Sequence, residues 1–233
     1  MEYVFLGRTG VLVSKLCLGT WLFGTKTDER TAAAMFNRCR ELGINFFDSA
    51  DVYGDGRAEE ILGRLIADCR DEVVITSKAF FPTGEGVNAC GASRRHLMAS
   101  VEQSLRKLGT DYIDLYFIHR FDASTDLAQT LRALDDLVRH GKILYPAASN
   151  FAAWQVMKAI GVSSCEGWAP FECIQPMYNL VKRQAEVELL PMAQSEGLGV
   201  IAYNTLAAGL LTGKYGSERR PSVGRLVENK SYQ

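Results

Sequence analysis

A carboxylate, a phenol, an ammonium and an imidazole occur in this chain at Asp48, Tyr53, Lys78 and His119. Asp48 follows Asn45-Phe46-Phe47, Lys78 ends Val73-Val74-Ile75-Thr76-Ser77, and His119 ends Ile113-Asp114-Leu115-Tyr116-Phe117-Ile118, so each closes a β-prone run; Tyr53 lies in the loop behind Asp48. Brought together, the four make a proton donor. A phenol has a pKa of about 10, too high for an efficient acid at neutral pH, and a neighbouring ammonium lowers it by favouring the phenolate. Lys78 at a strand end is desolvated and needs a carboxylate to stay charged, which Asp48 supplies. His119 would orient a carbonyl oxygen or share its proton. The chemistry this set implies is protonation of a carbonyl oxygen while its carbon is reduced. Taken singly, Asp48 or Lys78 reads as a cap or a solvated loop charge, Tyr53 as loop packing and His119 as a satisfied core histidine. Four mutually perturbing groups at successive strand ends read as a functional site.

The elements that must position them follow a beat of strand, loop and helix. Short β-prone runs occur at 16–20, 45–50, 73–78, 113–119, 143–149, 172–178 and 200–203, at intervals of roughly thirty residues, the length of a βα unit. Amphipathic helices are predicted at 28–42, 57–69, 93–108 and 126–140, with Gly43, Gly109 and Gly141 stopping three of them and Ser93 as an N-cap. Continuous apolar strands between one-sided helices imply a parallel sheet, either doubly wound or closed as a (β/α)8 TIM barrel. Residues 3–6 and 11–13 around Arg8-Thr9-Gly10 read as an N-terminal β-hairpin that could plug a barrel floor. Active residues of barrels sit at the C-terminal strand ends, where these four fall, so the barrel is favoured. Only seven strands are visible. After Tyr203 the chain runs through Gly209-Leu210-Leu211-Thr212-Gly213-Lys214 into the polar stretch 217–222, lacking an eighth βα unit. Open edges invite pairing, so the expectation is that the natural chain continues beyond residue 233, or that a partner copy supplies the last strand.

Composition sets looser bounds. The 233 residues, 47% hydrophobic, suit a single domain over 1–233. The 26 basic and 27 acidic residues nearly cancel, which points away from nucleic acid and charged membrane and toward a small-molecule partner. Six scattered cysteines (Cys17, Cys39, Cys69, Cys90, Cys165, Cys173) show no paired spacing, so disulfides are not expected and a cytoplasmic setting is. No export signal or apolar span is visible, and the chain is expected to act without a membrane, as a monomer or homo-oligomer. Three histidines, His96, His119 and His140, do not make a metal-ligand set of the usual kind, which argues against a metal-dependent barrel hydrolase.

The segment Asn45-Phe46-Phe47-Asp48-Ser49-Ala50-Asp51-Val52-Tyr53-Gly54, followed by Glu59-Glu60-Ile61-Leu62-Gly63, together with Thr76-Ser77-Lys78 and Asp111-Tyr112-Ile113-Asp114-Leu115 ending in His119-Arg120, resembles the second, third and fourth strand signatures of the aldo-keto reductase family. The resemblance runs from the hairpin to about residue 215. It implies a (β/α)8 barrel, reduction of an aldehyde or ketone to an alcohol, and NADP(H) as cofactor with NAD(H) still open. The cofactor would be held without a Rossmann motif, since Gly54-Asp55-Gly56 has Glu59 where GxGxxG needs its third glycine. The family's cofactor contacts carry over to Thr20, Trp21, Asp48, Ser149, Asn150, Gln175, Tyr203, Leu206, Gly209, Leu210 and Lys214. Ser149, Asn150 and Gln175 offer donors and acceptors for a carboxamide, and the Tyr203 ring can stack on nicotinamide. Without the family, Ser149-Asn150 is only a helix N-cap signal ahead of 151–160. Trp21, Tyr53, Phe80, His119 and Arg120 are expected to face the substrate, with Phe81 beside them, and Arg120 would favour an anionic or phosphate-bearing one.

Leu144 and Pro146 replace a basic residue and a glycine common in the family's fifth strand, and Asn204-Thr205-Leu206 replaces Ser-Pro-Leu after the seventh; neither removes a catalytic group. The family's grip on an adenosine 2′-phosphate lies in the missing eighth unit. The same resemblance covers β subunits of voltage-gated potassium channels, so a redox-sensing binding protein with a residual reductase site is the alternative. Near-zero charge and the short N-terminus weigh against it.

Overall fold

The computed structural model describes residues 1–216, 218–219 and 221–228. β1 (Tyr3–Phe5) and β2 (Leu12–Ser14) form an antiparallel hairpin in which Tyr3 faces Ser14 and Phe5 faces Leu12. The chain then alternates β3 (Leu18–Gly19), α1 (Glu29–Glu41), β4 (Phe46–Asp48), α2 (Arg57–Ile66), β5 (Val74–Ala79), α3 (Arg94–Leu108), β6 (Ile113–Ile118), α4 (Leu127–Arg139), β7 (Ile143–Ser149), α5 (Ala153–Glu166), β8 (Cys173–Gln175), α6 (Leu189–Glu196) and β9 (Gly199–Val200), with a last short helix α7 (Arg225–Glu228). β3 to β9 form one parallel sheet of seven strands in chain order. It curls as part of a (β/α)8 barrel. Ser217 and Arg220 of the polar stretch expected after the last strand lie outside the described residues, and no eighth parallel strand joins the sheet among those described.

Strand alternation divides the apolar residues into two layers. Phe46, Val74, Leu115, Phe117, Ala147, Cys173 and Ile201 point into the curl, where Leu6 and Val13 of the hairpin close its floor, as the plug reading anticipated. Their neighbours Phe47, Ile75, Tyr116, Ile118 and Ala148 point outward and are covered by helical residues such as Leu62, Leu97, Leu105, Leu131 and Val156. Burying both faces is what a parallel sheet requires. The hairpin seats closely on β9: a Cβ on Gly199 would stand 2.7 Å from Leu6 Cδ1.

Capping chemistry sets the helix starts. Asp28 Oδ1 accepts from the Thr31 amide (2.7 Å), Ser93 Oγ from the His96 amide (3.3 Å) and Asp126 Oδ1 from the Ala128 amide (3.1 Å), each satisfying an orphan donor of the first turn. α5 departs from expectation. Its N-cap is Ala152, whose amide donates to Gln155 Oε1 (2.8 Å), so Ser149 and Asn150 do not cap it. They are left for the strand-end site.

Candidate active site

Period-two alternation along β5 turns Thr76 and Lys78 to the inside of the curl. There Asp48, the last residue of β4, meets them. Asp48 Oδ1 accepts from Lys78 Nζ (2.6 Å), Thr76 Oγ1 (2.7 Å) and Gln175 Nε2 (2.8 Å). Lys78, wholly buried, also donates to the Ser49 carbonyl (2.7 Å). Burial alone would strip its charge, but the Asp48 carboxylate and Tyr53 phenol outweigh that, and its pKa stands above the ordinary lysine value. The ammonium is therefore secured.

Tyr53 reaches this pair from a tight loop. The Asp51 amide donates to the Lys78 carbonyl and the Tyr53 amide to Ala50 (both 3.1 Å), pinning the loop to the end of β5. Gly54 then turns through φ 57°, where a Cβ would lie 2.9 Å from the Phe23 carbonyl oxygen; only glycine meets both demands. Lys78 Nζ lies 5.1 Å from the Tyr53 ring centre. Burial raises the phenol's pKa, and the ammonium lowers it without cancelling the rise. Lys78 thus acts in the expected direction but does not produce a net lowering, because desolvation is the larger effect.

His119 follows β6 with its amide bonded to the Ala79 carbonyl (3.0 Å). Its ring meets Tyr53 edge-on at 5.9 Å and Phe81 at 4.9 Å. Burial and the Lys78 charge, opposed by Asp48, hold its pKa down to about 3. The imidazole is neutral at physiological pH, and Nδ1 has no hydrogen-bond partner in the protein. Of the two expected roles, orienting an oxygen fits this state and sharing a proton does not.

These groups open on a cavity of about 650 Å³, within the range of small-molecule sites. Asp48, Tyr53, His119, Ser149, Asn150 and Gln175 line it, and Tyr203 and Trp21 stand on its walls. Ser149 Oγ donates to the Gln175 carbonyl (3.0 Å); Asn150, held at φ 56°, donates to the His119 carbonyl (3.0 Å) and accepts from the Tyr203 hydroxyl (2.7 Å). The amides and the tyrosine ring gathered here suit a carboxamide-bearing aromatic such as nicotinamide.

Other expected residues fall elsewhere. Thr20 is fully buried, its hydroxyl within hydrogen-bond distance of Asp48 O (3.1 Å) and Ser49 Oγ (2.9 Å), so it braces the loop behind the cavity. Phe80 packs on Phe81 at 5.4 Å, and Phe81 is the one that lines the cavity. Arg120 is exposed and off the cavity wall. Leu206, Gly209, Leu210 and Lys214 lie on or beside the turn Ala207–Thr212, likewise off the wall, with Lys214 over the Tyr215 ring at 5.2 Å.

Sequence reasoning missed Thr76 as a partner of Asp48, although the alternation that places Lys78 inward also places Thr76 there. It also missed Cys17 and Ile201 in the cavity wall and Arg225, whose guanidinium stacks 4.0 Å over Trp21; no local pattern marks these. All six cysteines are free. Among the described residues no cluster of His, Cys, Asp and Glu is arranged to hold a metal, and no helix is long and apolar enough to cross a membrane.

Residues 15–231 match the sequence model described as the aldo/keto reductase family. A probable voltage-gated potassium channel subunit beta of Oryza sativa is 40% identical, the match covering 97% of this chain and 70% of that protein. An uncharacterized oxidoreductase, YrpG, of Bacillus subtilis is 40% identical over 92% of this chain and 69% of its own. L-glyceraldehyde 3-phosphate reductase of Escherichia coli is 38% identical over 92% and 64%.

Proposed function

The chain belongs to the aldo/keto reductase family, and we propose that it reduces an aldehyde or ketone to an alcohol with a nicotinamide cofactor, Tyr53 giving the proton. The observation that carries this reading is the buried Asp48–Lys78 ion pair (2.6 Å) beside the Tyr53 ring and facing a cavity of matching size. Burial keeps the phenol protonated at rest. As its proton leaves for a carbonyl oxygen, the Lys78 charge stabilises the phenolate that develops, and Asp48 holds that charge in place. Neutral His119 hydrogen-bonds the same oxygen and fixes its approach. A bound reduced nicotinamide supplies the hydride; Ser149, Asn150 and Gln175 would hold its carboxamide and Tyr203 its ring face. NADP(H) is the proposed cofactor, with NAD(H) as the comparison in the assay. The Escherichia coli relative's name makes small sugar aldehydes and their phosphates the first substrates to test.

Tyr53→Phe removes only the transferable proton. Turnover of an aldehyde panel should fall by about 10²-fold or more while nicotinamide binding, followed by fluorescence, persists. Unchanged turnover would sink the assignment.

A second reading follows from the Oryza sativa relative's name: a partner-binding subunit that retains a reductase site. Absence of turnover with either nicotinamide, together with capture of a channel protein, would favour it.

A further inference from the structure

Behind Lys78, on the opposite face of β5, lies a buried polar layer that the mechanism above does not use. Ser77 and Tyr116, paired in register across β5 and β6, both point outward into it. Glu59 from the first turn of α2 is wholly buried, and its Oε1 accepts from Ser77 Oγ (2.6 Å). Asp51, two residues before Tyr53, is also buried. Both oxygens of Asp51, Glu59 Oε2 and the fully buried Tyr116 hydroxyl lack hydrogen-bond partners in the protein. Two buried carboxylates whose charges bear on each other, with three of their four oxygens lacking a partner, do not both ionise readily.

We propose that Asp51 and Glu59 form a carboxylate pair that shares one proton, and that its charge governs how readily Tyr53 gives up its own. This rests on the reading of Tyr53 as proton donor. The charged and titratable groups facing Asp51 are Glu59 from α2, Lys107 from α3, Lys78 from β5, Tyr116 from β6 and Tyr53 from the adjoining turn, while Ser77 and Ser104 face Glu59. Burial, then the Glu59 carboxylate, push the Asp51 carboxyl up to about 8, against the opposing Lys107 charge. At neutral pH Asp51 therefore keeps its proton and the pair carries at most one negative charge. Above that range the shared proton leaves to solvent and a second negative charge appears. Ionised Asp51 holds the Tyr53 proton more tightly, so the pair acts as a positioning element for the donor through charge.

The test reads Tyr53 directly, as the difference in tyrosinate ultraviolet absorbance between the protein and its Tyr53→Phe variant, titrated with alkali. Asp51→Asn and Glu59→Gln each remove one charge with little change of shape. Each should move the Tyr53 titration down by about half a pH unit or more, and the alkaline limb of aldehyde reduction should move with it. Folded variants whose Tyr53 titration matches the parent would overturn the proposal. Should a variant fail to fold, carbon-13 carboxyl spectra of the unaltered protein decide. One carboxyl of the pair should titrate near pH 8; both titrating below pH 5 would overturn the pair. A shifted Tyr53 titration in a protein that reduces no carbonyl supports the pair and removes only the reductase reading.

Discussion

One carboxylate oxygen, Asp48 Oδ1, accepts from an ammonium, a hydroxyl and an amide. The ammonium matters most, because it lies wholly out of water and gains its charge stability from this contact. Removing one partner of a buried ion pair strands the other in a low-dielectric site. Lys78→Met should therefore lower the stability toward urea by about 3–5 kcal/mol and, in the molecules that remain folded, abolish most turnover. A variant as stable and active as the parent would show that the ion pair serves neither purpose. Tyr53 and His119 illustrate a limit of reading residue types in sequence. Their identities point to an acid and to a group that orients an oxygen or shares its proton, but the sign of each shift is set by desolvation, which depends on how deeply the neighbouring loops cover them.

At the scale of elements, α2 brings Glu59 to the back of β5 and is held against α3 by close backbone approach. A Cβ on Gly63 would stand 2.6 Å from the Leu108 carbonyl oxygen, and neither backbone can yield easily. Gly63→Ala should destabilise the fold by about 1–3 kcal/mol while leaving turnover per folded molecule near that of the parent, since Gly63 does not line the cavity; thermal denaturation and active-site titration together check this. Long elements were legible in sequence. The pattern predicts α1, α3 and α4 to within a residue or two at each end, because caps at Asp28, Ser93 and Asp126 state where they begin. β8 and β9 are shorter than their apolar runs suggest, and α6, with its Leu189-Leu190-Pro191 start and no side-chain cap, gave no signal. The Ser149-Asn150 dipeptide reads as a cap until tertiary contacts to His119, Gln175 and Tyr203 claim it.

For the whole molecule, the buried titrating groups give stability a pH dependence of known sign. His119 has its folded pKa depressed to about 3, so its contribution is present above the unfolded value of about 6.5 and is lost as pH falls through 3. Asp51 has its folded pKa raised to about 8, so its contribution is complete below about 3.9 and is lost as pH rises through 8. His119→Asn should flatten the acid side of a plot of urea midpoint against pH, and Asp51→Asn the side between pH 4 and 8. Unaltered slopes in both variants would mean that neither group titrates differently on folding. The barrel class and the gathering of Asp48, Tyr53, Lys78 and His119 were legible because strand ends recur at regular intervals and carry unusual residue types. The rest of the cavity wall was not, because Cys17, Ile201 and Arg225 meet there only through the tertiary fold. The three bonds at Asp48 Oδ1 close chain separations of 28, 30 and 127 residues. Contacts so distant in sequence cost loop entropy before they return anything, and β8 must be in place for Gln175 to make the longest. The cluster around Asp48 should therefore assemble late in folding, and recovery of activity after dilution from urea should trail recovery of helical circular dichroism.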